Sequence, residues 1–202
     1  MKKKNLLYVS ALCACMSFSF MGCSDDDDKQ EIPSLPEQIS LNGVYVLNSG
    51  KQESNNSSLS FYDFETKKVE ADIFKKVNGR GLGDTANDIL VYGSKAYIAV
   101  TNSNTIEVID LQGKSLKQIV SDGDPLQPRF FSCYNGKVYV SLYGGYVARL
   151  DTTSLTIESK VKVGRNPEQM AIANNKLYVA NSGGADFNTA VGYDKTVSVV
   201  DL

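Results

Sequence analysis

One unit recurs along the chain. "NGVYVLNSG" at Asn42, "GSKAYIAVTNS" at Gly93, "NGKVYVSLYGG" at Asn135 and "NNKLYVANSGG" at Asn174 align on Tyr45, Tyr97, Tyr139 and Tyr178. Each is followed by a second alternating run ending in aspartate: "SLSFYD" to Asp63, "TIEVIDL" with Asp110, "YVARLD" to Asp151 and "TVSVVDL" with Asp201. The tyrosines lie 52, 42 and 39 residues apart, close to the ~40–50 residues of a propeller blade. A β-sandwich, the other fold such strands could build, does not predict a self-similar unit of that length.

Turn chemistry supports the same reading. Gly93-Ser94, Asn135-Gly136 and Asn174-Asn175 each separate two apolar runs, as two-residue hairpin loops that need positive φ. "NDILVYGSKAYIAV" is therefore strand, tight turn, strand. A third strand ends at the aspartate and a fourth follows, as in "SLKQIV" at Ser115 or "LTIESKVKV" at Leu155. Four antiparallel strands per unit, with no helical period from residue 23 onward, predict an all-β fold: a β-propeller of four-stranded blades. Only "EQISL" precedes the first unit, and the fourth stops at Leu202 after its third strand. The expectation is about three and a half blades, the N-terminal part of a longer ring, with a closed four-bladed ring as the alternative.

The chain opens differently. Lys2 to Lys4 precede an apolar stretch from Leu6 to Phe20 and then Met21-Gly22-Cys23, the pattern of a secretory leader too short to span a bilayer as a helix. Phe20-Met21-Gly22-Cys23 resembles a bacterial lipobox, with phenylalanine where leucine is usual. Cleavage there would leave Cys23 as an acylated N-terminus held to a membrane by burial of its chains. Ser24-Asp25-Asp26-Asp27-Asp28 resembles the lipoprotein export signal of Bacteroides-type bacteria, which sends a lipoprotein to the outer face of the outer membrane. Adjacent carboxylates on a mobile tether offer no fixed metal geometry, and a purely solvating acidic tether is the plainer alternative. The predicted organisation is a signal peptide over 1–22, a lipidated acidic tether over 23–38 marked by Pro33 and Pro36, and the propeller over 39–202.

Composition then narrows the function. Removal of the three leader lysines takes the net charge from −2 to about −5, which gives no electrostatic reason to bind nucleic acid. The chain has no histidine and no tryptophan, so the usual general base and every Ser-His-Asp or Cys-His constellation are missing. With Cys13 and Cys15 in the leader and Cys23 acylated, Cys133 has no disulfide partner. In the strand-like "RFFSCYNGK" it reads as a small buried apolar residue.

"LYVANSGG" preceded by "VKVGRNPEQMAI", together with "IEVIDL", resembles the YncE-like surface propellers. "GVYVLNSG" with "SLSFYDFET", and "GLGDTANDILVYGSKAYIAVTNSNTIEVIDL", resemble more narrowly the DUF5074-type propeller lipoproteins of Bacteroides-type bacteria. That group includes a cobalamin-capturing surface lipoprotein. The resemblance implies a seven-bladed, non-enzymatic propeller that binds cobalamin or a related corrinoid and rests on a TonB-dependent outer-membrane transporter. No cofactor is implied; cobalamin would be a bound ligand.

Propeller ligands usually sit on the face built from the loops between blades and between second and third strands. Those loops are rich in Asn, Ser, Gly and Tyr, with Arg80, Arg129 and Arg165 spaced among them. A large, nearly neutral ligand fringed with amides needs many donors and acceptors and a few flat apolar surfaces. Asn102, Gln169 and Asn181 could serve amides, Tyr143, Phe187 and Tyr193 could supply surfaces, and Arg165 could meet a phosphate. Ordinary turn chemistry is the competing role for each Asn and Gly. The run from Asn181 to Thr196 stands out, because a hairpin loop needs only about 2–5 residues. Asp84-Thr85-Ala86-Asn87, at the start of an inner strand, resembles a family fingerprint, and its aspartate and threonine read as hydrogen-bonding the backbone of the next blade. A structural or adhesive propeller that binds protein or glycan is the alternative function, and a lactonase- or quinoprotein-type enzyme ranks last. Cys23→Ala should release the mature protein from membranes on fractionation; continued membrane association would contradict the lipoprotein reading.

Overall fold

The computed structural model describes residues 42–121 and 123–202. The leader, Cys23, the Ser24–Asp28 stretch and the rest of the tether lie outside the described residues. The domain is all-β, with antiparallel strands in four sheets. The first holds β1 (Gly43–Asn48), β2 (Ser58–Asp63) and the two-residue β3 (Val69–Glu70). The second holds β4 (Ala86–Tyr92), β5 (Lys95–Val100), β6 (Thr105–Asp110) and β7 (Ser115–Ile119). The third holds β8 (Pro128–Tyr134), β9 (Lys137–Leu142), β10 (Tyr146–Asp151) and β11 (Thr156–Lys162). The fourth holds β12 (Pro167–Ala173), β13 (Lys176–Asn181) and β14 (Thr196–Asp201). Each sheet is a meander in sequence order. One helix, α1 (Ile73–Asn78), departs from the expectation of no helix. Asp72 caps its first turn and Gly79 ends it with φ 69°, while Ile73 and Phe74 are buried against the second sheet.

The hairpin loops have the expected conformations. Asn135 and Gly136 both have positive φ, as do Asn174 and Asn175, while at Gly93-Ser94 only the glycine does. The four repeat tyrosines occupy the same rung, opposite Phe61, Val108, Arg149 and Val199. Three of the four recurring aspartates are turn caps, and the fourth, Asp201, pairs with Lys176. Asp63 accepts from the Glu65 and Thr66 amides (2.8 and 2.7 Å), Asp110 from Gln112 and Lys114 (2.9 and 2.8 Å), and Asp151 from Thr153 and Ser154 (2.9 and 2.6 Å). Lys137 reaches Asp151 across the strands at 2.7 Å. That cation and the turn amides hold the Asp151 carboxyl well below the usual range.

Alternation along the strands explains the packing. In β5, Ala96, Ile98 and Val100 pack toward the first sheet with Leu59, Phe74 and Leu82. Tyr97 and Ala99 pack the other way, with Phe131, Val138 and Val140 of the third. Tyr139 and Val147 of the third sheet meet Leu177 and Val179 of the fourth. Cys133 is half-buried and packs against the core between the second and third sheets. The inner strands β4, β8 and β12 each carry a register shift near their start: Ala86/Asp88, Pro128/Phe131 and Pro167/Met170. A bulge frees backbone groups and re-aims side chains. Here the bulged residues lash one sheet to the next, with Asn87 donating to the Arg129 carbonyl (2.7 Å) and Asp88 accepting from the Phe131 amide (2.8 Å). Asp84 and Thr85 do not make the expected bonds to the next sheet: the Thr85 hydroxyl donates to Asp84 at 2.7 Å, and Asn87 and Asp88 make the crossing instead.

The Tyr97 hydroxyl is buried without a partner among the described residues. Tyr97→Phe removes an unsatisfied polar group and should leave stability unchanged or raise it by up to about 1–2 kcal/mol. A urea midpoint showing a loss of more than about 1 kcal/mol would mean that the hydroxyl is satisfied.

Candidate ligand-binding face

In an antiparallel meander, second-to-third-strand loops and inter-sheet connections emerge at the same end. Hydrogen bonds join them in pairs: Thr101 N to Thr85 O (2.9 Å), Tyr143 N to Gln127 O (3.0 Å) and Ser182 N to Asn166 O (3.1 Å). At this end lies the loop between β13 and β14. It leaves Asn181, turns through Gly183 (φ 58°) into a short 3-10 turn over Gly184–Asp186, and returns through Gly192 to Asp194. A Cβ on Gly183 would stand 2.3 Å from the Asp194 amide nitrogen, so the two limbs close only over glycine.

The loop carries an exposed aromatic pair. Phe187 and Tyr193 are 55% and 61% exposed, and their rings stack with centroids 6.4 Å apart and planes inclined by 22°. Their chain neighbours Asp186 and Asp194 line a cleft of about 320 Å³ together with Tyr143, Lys162, Arg165 and Asn166. Tyr143 is braced from beneath, because the Arg129 guanidinium lies 5.0 Å from its ring centroid and is itself gripped by both Glu168 oxygens (3.0 and 3.2 Å). Burial, then the Glu168 charge, push the Tyr143 hydroxyl's pKa up, with Arg129 opposing. The Asp194 carboxyl is held low, first by the Thr196 hydroxyl and then by the Arg165 amide.

Of the residues expected to meet a ligand, Tyr143, Phe187 and Tyr193 are gathered at this end. Arg165 is there too, but its guanidinium pairs with Asp186 and donates to the Gly192 carbonyl (3.2 Å). Arg80 and Arg129 are likewise committed, to Glu107 (2.8 Å) and Glu168. A half-buried guanidinium is costly to leave unpaired, so these arginines serve the fold before any anion. Asn181 is buried, its amide accepting from Gly164 N (3.1 Å) and donating to Thr196 and Ser198 (3.0 and 2.9 Å). Its side chain ties the base of the loop, with the amide nitrogen donating within the fold. Asn102 and Gln169 are exposed and make no hydrogen bond to the cluster among the described residues.

A larger groove, about 600 Å³, lies at the opposite end between Tyr45, Phe61, Val69, Ile73, Val77 and Leu111. Its polar rim is occupied by turn and pairing chemistry, with Asp63 capping its own turn and Lys76 on Glu70 at 3.3 Å. Tyr45 donates to the Leu111 carbonyl at 2.6 Å, and burial, then Asp110, push its hydroxyl's pKa up to about 12.

A family described as a domain of unknown function, DUF5074, matches residues 42–196. The chain belongs to the DUF5074 family. No curated protein sequence matches it. Among solved structures it is similar to hydrazine synthase of Kuenenia stuttgartiensis, with TM-score 0.60, 18% identity, and coverage of 79% of this chain and 43% of that one. It is also similar to the computationally designed Ika4 protein (TM-score 0.54, 12% identity, 77% and 89% covered). A third is a functionally unknown protein of Desulfotomaculum acetoxidans (TM-score 0.54, 14% identity, 78% and 48% covered). At such identities the likeness is one of fold, and this DUF5074 chain spans under half the length of the hydrazine synthase chain.

Sequence reasoning missed Asn166, Asp186, Asp194 and the Arg129–Glu168 pair. Glu168 and Arg129 stand at equivalent bulge positions, after Pro167 and Pro128, so the aligned proline was a usable signal. The two loop aspartates had none, since their partner Arg165 is 21 residues or more away. Glu168→Gln strips Arg129 of its carboxylate and should cost about 1–3 kcal/mol in denaturant unfolding. An unchanged midpoint would show that the pair is dispensable.

Proposed function

We propose that this DUF5074 domain captures a corrinoid, cobalamin or a close relative, on the loop face described above. In this reading it is a non-enzymatic, lipid-anchored outer-membrane protein, exposed at the cell surface, that hands its ligand to a TonB-dependent transporter. The observation that carries the reading is the stacked, exposed Phe187–Tyr193 pair on a loop far longer than its hairpin needs. Exposed stacked aromatics cost apolar hydration and suit the flat, partly apolar faces of a large ligand. Asn166 and the backbone groups lining the cleft suit its amides. The corrinoid itself, the surface address and the transporter come from the family resemblance and from the lipobox-like and acidic stretches.

In the same proposal the four sheets are consecutive propeller blades. Ala96 and Ile98, Val138 and Val140, and Leu177 and Val179 are all fully buried beneath a preceding sheet. The matching Val44 and Val46 of β1 are 45% and 47% exposed, as are Val197 and Val199 of β14 at 61% and 54%. Those outer faces are the ones that further blades would cover.

Calorimetric titration of the mature protein, without its lipid, with cyanocobalamin tests the reading. Saturable one-to-one binding is expected, and Phe187→Ala or Tyr193→Ala should weaken it at least about ten-fold, ~1.4 kcal/mol, with the unfolding midpoint unchanged. Binding indifferent to both substitutions would move the site off this loop. No binding at high micromolar ligand would remove the corrinoid and leave the adhesive alternative, in which the aromatic pair stacks on a glycan or protein.

A further inference from the structure

The loop that carries the aromatic pair has little apolar burial of its own. Phe187, Val191 and Tyr193 are all more than half exposed, so packing does not fix its shape. Beyond the loop's own turn hydrogen bonds and Asn181 at its base, it is held by the link between β11 and β12. Arg165 holds both limbs of the loop. On the outgoing limb its carbonyl accepts from the Gly183 amide (3.0 Å) and its guanidinium pairs with Asp186, one residue before Phe187. On the returning limb its guanidinium donates to the Gly192 carbonyl (3.2 Å) and its amide to Asp194 (3.1 Å), the residues on either side of Tyr193. The neighbouring Asn166 extends the clamp to the loop of Tyr143, donating to the Tyr143 carbonyl (3.1 Å) and accepting from the Ser182 hydroxyl (2.8 Å).

We infer that Arg165 is a positioning residue, which holds Phe187 and Tyr193 in register so that the stacked pair exists before a ligand arrives. The inference rests on the reading that this pair contacts the ligand. Ordering a loop on binding consumes affinity, and a loop already ordered does not. The charges that share the cleft with the guanidinium are Asp186 and Asp194 on the loop and Lys162 on β11. The side chains of Arg165 and Asp186 are 39% and 34% exposed, so added salt screens the pair. A nearly neutral ligand would thus bind with an affinity that falls as salt rises, although it meets no charge on Arg165.

The test uses the mature chain labelled with 3-fluorotyrosine, with the Tyr193 fluorine resonance assigned by its loss in Tyr193→Phe. Phe187→Leu calibrates the shift that the stacked ring imposes. Arg165→Gln should move the Tyr193 resonance to its unstacked position, and Asp186→Asn, which breaks the same pair from the loop's side, should move it likewise. Arg165→Lys keeps the charge and should recover part of the shift. Both neutral variants should weaken cyanocobalamin binding about ten-fold and abolish the salt dependence seen in the parent. A Tyr193 resonance unmoved in both neutral variants overturns the inference, whether affinity falls, as for direct contact with ligand, or holds. Absence of cyanocobalamin binding in the parent would sink the corrinoid reading alone, since the fluorine shift tests the clamp without any ligand.

Discussion

Tyr97 and Ile98 are neighbours in β5, point to opposite sides of their sheet, and are both fully buried. That is possible only because the second sheet is covered on both faces, by the first sheet on one side and the third on the other. Side chains of both parities must then be apolar, and the strand reads as the continuous run "AYIAV". The same condition shapes "VYVSL" in β9, where the one polar member, Ser141, is buried and donates its hydroxyl to the Phe130 carbonyl at 3.4 Å. With every interior face filled, polar chemistry is pushed to strand ends, bulges and loops.

The consequences differ at the two ends. Where the third strand turns into the fourth, the repeat aspartates close tight turns on their own amides, which leaves short, uniform connections. At the other end the connections are longer and lean on one another across sheets. The exception to this segregation of polar groups is Glu107, in the middle of β6, which has none of its surface exposed and is met by Arg80, Ser115 and Gln118. The bulges contribute a further layer, in which Asn87, Arg129 and Glu168 at equivalent positions link the second, third and fourth sheets. Tyr143 rests on that layer, and the long loop after β13 rests on Tyr143 and its neighbours. A loop face built this way is supported from the sheets upward.

Much of this was legible in the sequence, because strand and turn signals are local. The tyrosine rung, the two-residue hairpins and the terminal aspartates depend on residues close in the chain, and the strands fall where the alternation places them. The α1 helix escaped because six residues make too little periodicity to see, and its stability comes from Ile73 and Phe74 docking on a neighbouring sheet. At the site, the aromatics of the long loop were visible by loop length alone. The roles of Arg165 and Asn181 were not, because charge pairing and amide bonding over some 15–30 residues of separation leave no local pattern. Arg165 and Asn181, read as ligand donors, hold the loop's frame.

Hydrogen–deuterium exchange of the mature protein with and without saturating cyanocobalamin asks most directly whether the loop face is the ligand site. The account predicts slowed exchange confined to residues 142–146, 163–167 and 181–196, with the turns at Asp63, Asp110 and Asp151 unchanged. Protection centred on residues 63–77, around the groove at the opposite end, would contradict it.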